Sequence, residues 1–366
     1  MKIKTSLFYS LAAASLLGGT ANAQNSSTDP VGFHTLNVFG ASASGARFSL
    51  LSAGLINPIE YASGATSIDA TTITVEGTPF ADLDYGQVPA VEGGPGDAAA
   101  AYIAYYVEIT SGDEAGAWAN ILSNDDSSIT VDRDLSAAGN DAKIAIRKHV
   151  TLNDLFGANN EAGLDPDDTG SIADADEVSL FADGASRVFF FVNAAGLEGW
   201  YDAALVRNGN TAIEPQQAVY VQRKIAGDLS FTRAGHVKVG PTKLMVNSGF
   251  NALANPRAVG VDDTMTPVFT LGTSALWNPA DPANSVDPSE DGNASEGDEV
   301  TVLEDSGAFS VYIYVNLAGN EGWYDSALNP SDDAVLDNGK GFILNRKPTL
   351  TGTPFIWTAP AEEIAE

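Results

Sequence analysis

The chain contains no cysteine. That excludes disulfide staples, thiolate nucleophiles, thiolate metal ligands and a lipid-modified leader cysteine. Histidine occurs only at His34, His149 and His236, with no HExxH and no pair at metal-ligand spacing. Lys and Arg number 18 against 48 Asp and Glu, giving a formal net charge of −30. Such a surface repels nucleic acid and anionic lipid, so no nucleic-acid partner is expected. Beyond the first two dozen residues no run is long and apolar enough to span a bilayer, and no membrane span is expected. There is no nucleophile-elbow G-x-S-x-G, no phosphate-binding loop and no dinucleotide fingerprint; Gly40 to Ala46 (GASASGA) fits none of them. Carboxylates are abundant, yet nothing singles out an acid–base pair. With no catalytic constellation to name, no enzyme activity is expected, and a secreted hydrolase ranks last among the readings.

What is present begins with a leader. Lys2 and Lys4 precede an apolar stretch, Leu7 to Leu17, and Ala21-Asn22-Ala23 is an A-x-A cleavage signal. Residues 1–23 read as a signal peptide, so the expected location is exported: extracellular, cell surface or periplasmic. The C-terminal PAEEIAE carries no sorting motif.

The body reads as all-β. Val188 to Val192 (VFFFV) and Val311 to Val315 (VYIYV) are β-branched and aromatic runs. Ser128 to Val131 and Lys143 to Arg147 alternate, and the alternation slips phase at Thr71, the mark of a bulge or a short turn. Glycine (36) and proline (17) punctuate the chain at short intervals. Helical periodicity is scarce, with Thr151 to Ala158 offering a turn or two. The expected fold is a set of tandem, short-stranded antiparallel modules, as a β-sandwich or partly open barrel.

One segment is written twice. Residues 176–202 (DEVSLFADGASRVFFFVNAAGLEGWYD) match 298–325 (DEVTVLEDSGAFSVYIYVNLAGNEGWYD). The spacing from Trp200 to Arg223 equals that from Trp323 to Arg346, which signals duplication of a folded unit. A looser echo runs from Tyr102 through Trp118 to Arg147. The expected division is 24–148 as an N-terminal module, 149–245 as the first repeat and 246–366 as the second with a tail. In each repeat a Gly turn precedes Gly-Trp-Tyr, a hairpin in which the Trp anchors a core. The alternative gives Trp200, Tyr201, Trp323 and Tyr324 to an exposed, sugar-stacking surface. The pairs Arg147-Lys148, Arg223-Lys224 and Arg346-Lys347 end hydrophobic strands, where charge guards an edge and meets carboxylates, or clamps modules together.

Two acidic stretches also recur in register: Asp165 to Asp176 (DPDDTGSIADAD) and Asp287 to Asp298 (DPSEDGNASEGD). Oxygen-bearing residues fall at positions 1, 3, 5 and 12: Asp165, Asp167, Thr169 and Asp176, then Asp287, Ser289, Asp291 and Asp298. Glycine stands at position 6. That is the spacing of a twelve-residue calcium loop, so Ca²⁺ is the one candidate cofactor. Departures are plain: Asp instead of Glu at position 12, Pro at position 2, Ala294 at an apolar site, and a strand instead of a helix to follow.

Thr28 to Phe33 (TDPVGF), the ITV-type strands, the aromatic strand leading through SG to Trp118, and the Gly-Trp hairpin resemble a family of exported bacterial β proteins with no assigned activity. The resemblance implies an exported all-β protein and assigns no functional residue. The sequence reading is therefore a structural or surface-associated protein of the envelope or matrix, with self-association or envelope glycans as its partners. Carbohydrate binding through exposed aromatics is the alternative.

Overall fold

A computed structural model describes residues 30–360 except 93–97, 170–171, 183–184, 216, 256–268, 338, 349 and 351. The leader and Thr28-Asp29 lie outside the described residues. The chain is almost entirely antiparallel β. No helix among the described residues is long and apolar enough to cross a membrane.

The two matching segments lie in two five-stranded sheets of the same strand order. In the first, strands follow spatially as Gly199–Asp202, Ala185–Val192, Glu177–Ala182, Ala218–Arg223 and Arg47–Ser52. In the second they are Gly322–Asp325, Phe309–Val315, Glu299–Leu303, Gly341–Arg346 and Gly249–Ala254. Register is preserved as well: Phe48 faces Gln222 as Phe250 faces Asn345. Each copy adds a two-stranded ribbon, Val31–Val38 with Leu229–His236 in the first and Thr242–Val246 with Phe355–Ala359 in the second.

The first copy is thus discontinuous. Residues 31–52 belong to it, and between them and Val150 the chain builds a closed six-stranded barrel. The barrel strands in order are Lys143–Lys148, Ile59–Ile68, Thr72–Val75, Ser128–Val131, Trp118–Asn124 and Tyr105–Ile109. The phase slip at Thr71 is the hairpin turn between Ile68 and Ile73. The expected module 24–148 therefore divides, its first two strands completing the repeat that follows. A linear reading misses this because strand Arg47–Ser52 finds its partner some 170 residues later, at Ala218–Arg223.

Alternation along each strand feeds separate cores. Leu51, Val219 and Val221 point into the first copy with Trp200 and Phe191. Leu253, Phe342 and Leu344 do the same in the second with Trp323 and Trp357. Ile73, Val107, Ile121 and Ile144 fill the barrel. The opposite faces of the two sheets meet each other through Leu50, Ala218 and Tyr220 against Ala252, Ala254 and Ile343. Equivalent strands of the two copies thereby pack together, as in an isologous dimer fused into one chain. Gly341 permits the approach, since a Cβ there would lie 2.5 Å from the Ala218 Cβ.

Candidate functional site

The repeated octet, EGWYDAAL from Glu198 and EGWYDSAL from Glu321, has a structural role at every informative letter. Glu198 and Glu321 accept hydrogen bonds from the turn amides of Gly196 and Gly319. Gly199 and Gly322 sit at φ of 150° and 151°, where a side chain would be strained. Asp202 and Asp325 each accept two backbone amides of the next turn. Trp200 is 2 % exposed, lies between Phe156 and Phe191, and donates its Nε1–H to the Gly157 carbonyl at 2.9 Å. Trp323 is equally buried against Tyr314, Tyr201 is buried, and Tyr324 is half-buried. Sugar stacking on Trp200, Tyr201 and Trp323 is corrected accordingly: their faces are covered by the protein's own core.

The acidic stretches close on themselves. In the first, the Asp165 amide donates to Asp176 Oδ2 at 2.8 Å and the Asp176 amide to the Asp165 carbonyl at 2.9 Å. The buried Asp176 carboxylate also accepts Arg223 Nη1 at 2.8 Å and the Lys224 amide at 2.7 Å. The second copy repeats every contact: Asp287 amide to Asp298 Oδ2 at 2.7 Å, Arg346 Nη1 at 2.5 Å and the Lys347 amide at 2.8 Å. Burial pushes the Asp298 carboxyl up, while the amides of Asp287 and Lys347 and the Arg346 guanidinium hold it down. At position 3, Asp167 Oδ1 accepts the Thr169 amide and hydroxyl, and in the second copy Ser289 donates to Asp291 Oδ1 at 3.2 Å. The main chain of Asp167 and of Ser289 is stitched to Phe191 and Tyr314. Twelve-residue spacing is thus accounted for by a loop whose last carboxylate receives the Arg of the Arg-Lys pair. Among the described residues no group of three or more His, Asp or Glu is placed to hold a metal. We expect a chelator to leave the melting temperature and the sedimentation coefficient unchanged. A drop of more than about 5 °C, the scale of a 1–2 kcal/mol loss, would restore the calcium reading.

The third Arg-Lys pair serves the barrel. Arg147 lies 3.6 Å from Glu108, and Lys238 on the connector between the copies bonds the same carboxylate, all three being buried. Lys243 reinforces the joint through the Gly116 carbonyl at 2.9 Å and Glu114 at 2.8 Å. This carboxylate holds barrel and connector together.

One enclosed histidine lies close by the seam between barrel and first copy. His149 is 1 % exposed, with Nε2 2.7 Å from Asn120 Oδ1. Burial first, and the Arg133 charge second, push its pKa down to about 3. The unfolded chain takes up the proton near pH 6.5, the folded chain only near pH 3, so this group withdraws stability as pH falls through that window. Chemical denaturation at pH 7 and pH 4.5 is expected to show His149→Gln losing less stability on acidification than the parent. An equal loss in both would remove the group from the acid response.

Along the same seam run three adjoining hollows of about 320, 270 and 810 Å³. Tyr102 and Thr211 border the first two, and Asn120, Glu214 and Gln217 the last two. The widest opens onto the second copy's hairpin and its exposed Phe250. Arg207, Arg187 and Arg133 stand along it, residues that sequence reasoning passed over because they are far apart in the chain. Only their rarity in so acidic a sequence marked them.

Comparison with family models, characterised proteins and solved structures finds no match to this chain.

Proposed function

We propose that the chain is a non-enzymatic, exported structural or surface-associated protein, a rigid β scaffold of the envelope or extracellular matrix. What carries the reading is where the scarce cations sit. Arg147, Arg223 and Arg346 are each buried against a carboxylate, and Lys238 and Lys243 bind the barrel to the connector. These buried cations join strand to loop or body to body. A highly acidic exterior on a fused three-body framework suits a soluble spacer in a salty medium.

The test is to express the full chain with its leader in a bacterium. Cells are then treated with a membrane-impermeant amine label and the N-terminus of the product is sequenced. Labelled protein beginning at Gln24 is the expected outcome. Unlabelled cytosolic protein that retains its leader would sink the reading.

A further inference from the structure

The geometry points to the seam between the barrel and the first copy as a binding site for an extended, uncharged glycan. Its charge is the first observation. In a chain with 48 acidic and 18 basic residues, the charged residues lining the three hollows are three arginines and three acids. Arg133, Arg187 and Arg207 are balanced there by Asp132, Glu198 and Glu214. A locally neutral wall on a molecule of formal charge −30 neither draws in a polyanion nor gains from a polycation.

Pre-set geometry is the second. Each arginine is seated on an aromatic face: Arg133 over Trp118 at 4.0 Å, Arg187 over Phe189 at 5.2 Å and Arg207 over Tyr201 at 5.4 Å. A guanidinium held this way loses little rotamer freedom on meeting a ligand. Its planar fork, like a carboxylate or primary amide, presents paired sites that match the vicinal hydroxyls of a sugar ring. Nine Asn and Gln side chains also line the hollows. Asn120 is fixed by Asp132 at 2.8 Å, and the Glu214 carboxylate lies 3.5 Å from Arg133.

Apolar platforms are the third. Phe250 is 73 % exposed and Phe181 39 %, and both border the widest hollow, where a ring face can meet the C–H face of a pyranose. Trp118 borders it too, and its buried Nε1–H has no acceptor among the described residues. Continuity of the three hollows suits a chain of several sugar units instead of one monosaccharide. The inference does not depend on where the protein resides.

The experiment titrates the full-length mature protein with soluble neutral oligosaccharides of β-1,4-glucan, β-1,4-xylan, β-1,4-mannan, β-1,3-glucan and α-1,4-glucan. Alginate and polygalacturonate serve as acidic counterparts. Calorimetry and tryptophan fluorescence give the readouts. Binding of at least one neutral series, tightening with chain length, is expected. Arg187→Ala and Phe250→Ala should each weaken it about tenfold at unchanged melting temperature. Phe309→Ala, an exposed aromatic outside the seam, should leave it unchanged. No binding of any neutral series at about 10 mM, the edge of measurable affinity, would overturn the inference. So would binding confined to the acidic polymers, or binding that survives both seam substitutions.

Discussion

Asp298→Ala is expected to destabilise the second copy by about 3–5 kcal/mol, because it leaves the buried Arg346 guanidinium with only the partly exposed Asp287 carboxylate, 3.3 Å away, as counter-charge and strips two backbone amides of their acceptor. The wild-type carboxylate receives that guanidinium and two backbone amides, and it is fully enclosed. Asp176→Ala should act alike on the first copy, since Arg223, Lys224 and Asp165 converge on it in the same way. Calorimetry is the suitable measurement: with three cores in one chain, a selective loss shows as one transition moving to lower temperature while others hold. The double variant Asp298→Leu with Arg346→Met should recover much of the loss, as replacing a whole buried pair by apolar groups generally does. A single variant that melts with the parent would show that the clamp contributes nothing.

Trp200→Ala is the second large effect, about 3–5 kcal/mol from the lost burial and the cavity left behind. The ring is packed between Phe156 and Phe191 and its N–H is bonded to Gly157, so the neighbourhood has little freedom to collapse. Trp323→Ala should cost a similar amount in the second copy, where Tyr314 meets the ring edge-on at 5.6 Å. Trp200→Phe should cost less than half as much, since most of the apolar volume stays. The check is urea denaturation followed by circular dichroism. Variants as stable as the parent would mean that the indoles lie outside the load of the fold.

Much of this was legible in sequence and some was not, for physical reasons. The β-branched and aromatic runs VFFFV and VYIYV foretold strands Ala185–Val192 and Phe309–Val315. Equal spacing from Trp to Arg foretold equivalent sheets, since register follows from hydrophobic pattern. The matched acidic spacing was visible too, but its cause lies in the partner: the Arg side chain that fills Asp176 comes from a strand 47 residues on. Strand Arg47–Ser52 was hidden by distance from its neighbour, although RFSLLSA and GFNALAN do resemble each other once aligned. Arg133, Arg187 and Arg207 carried no local signature at all. What unites them is the fold, which brings separate strands and loops to one seam.

The interruption of the first copy by the barrel sets an order of events as the polypeptide is synthesised from its N-terminus. Strands Val31–Val38 and Arg47–Ser52 emerge first, and their partners follow only at Ala218–Arg223 and Leu229–His236. The barrel, whose strands all lie between Ile59 and Lys148, completes itself while those two wait without neighbours. When Gly249–Ala254 appears, a second strand of matching register competes for the same vacant edge. A chain arranged this way depends on the earlier strand docking before the later one arrives, and a pause in synthesis after residue 240 has emerged would favour the correct choice.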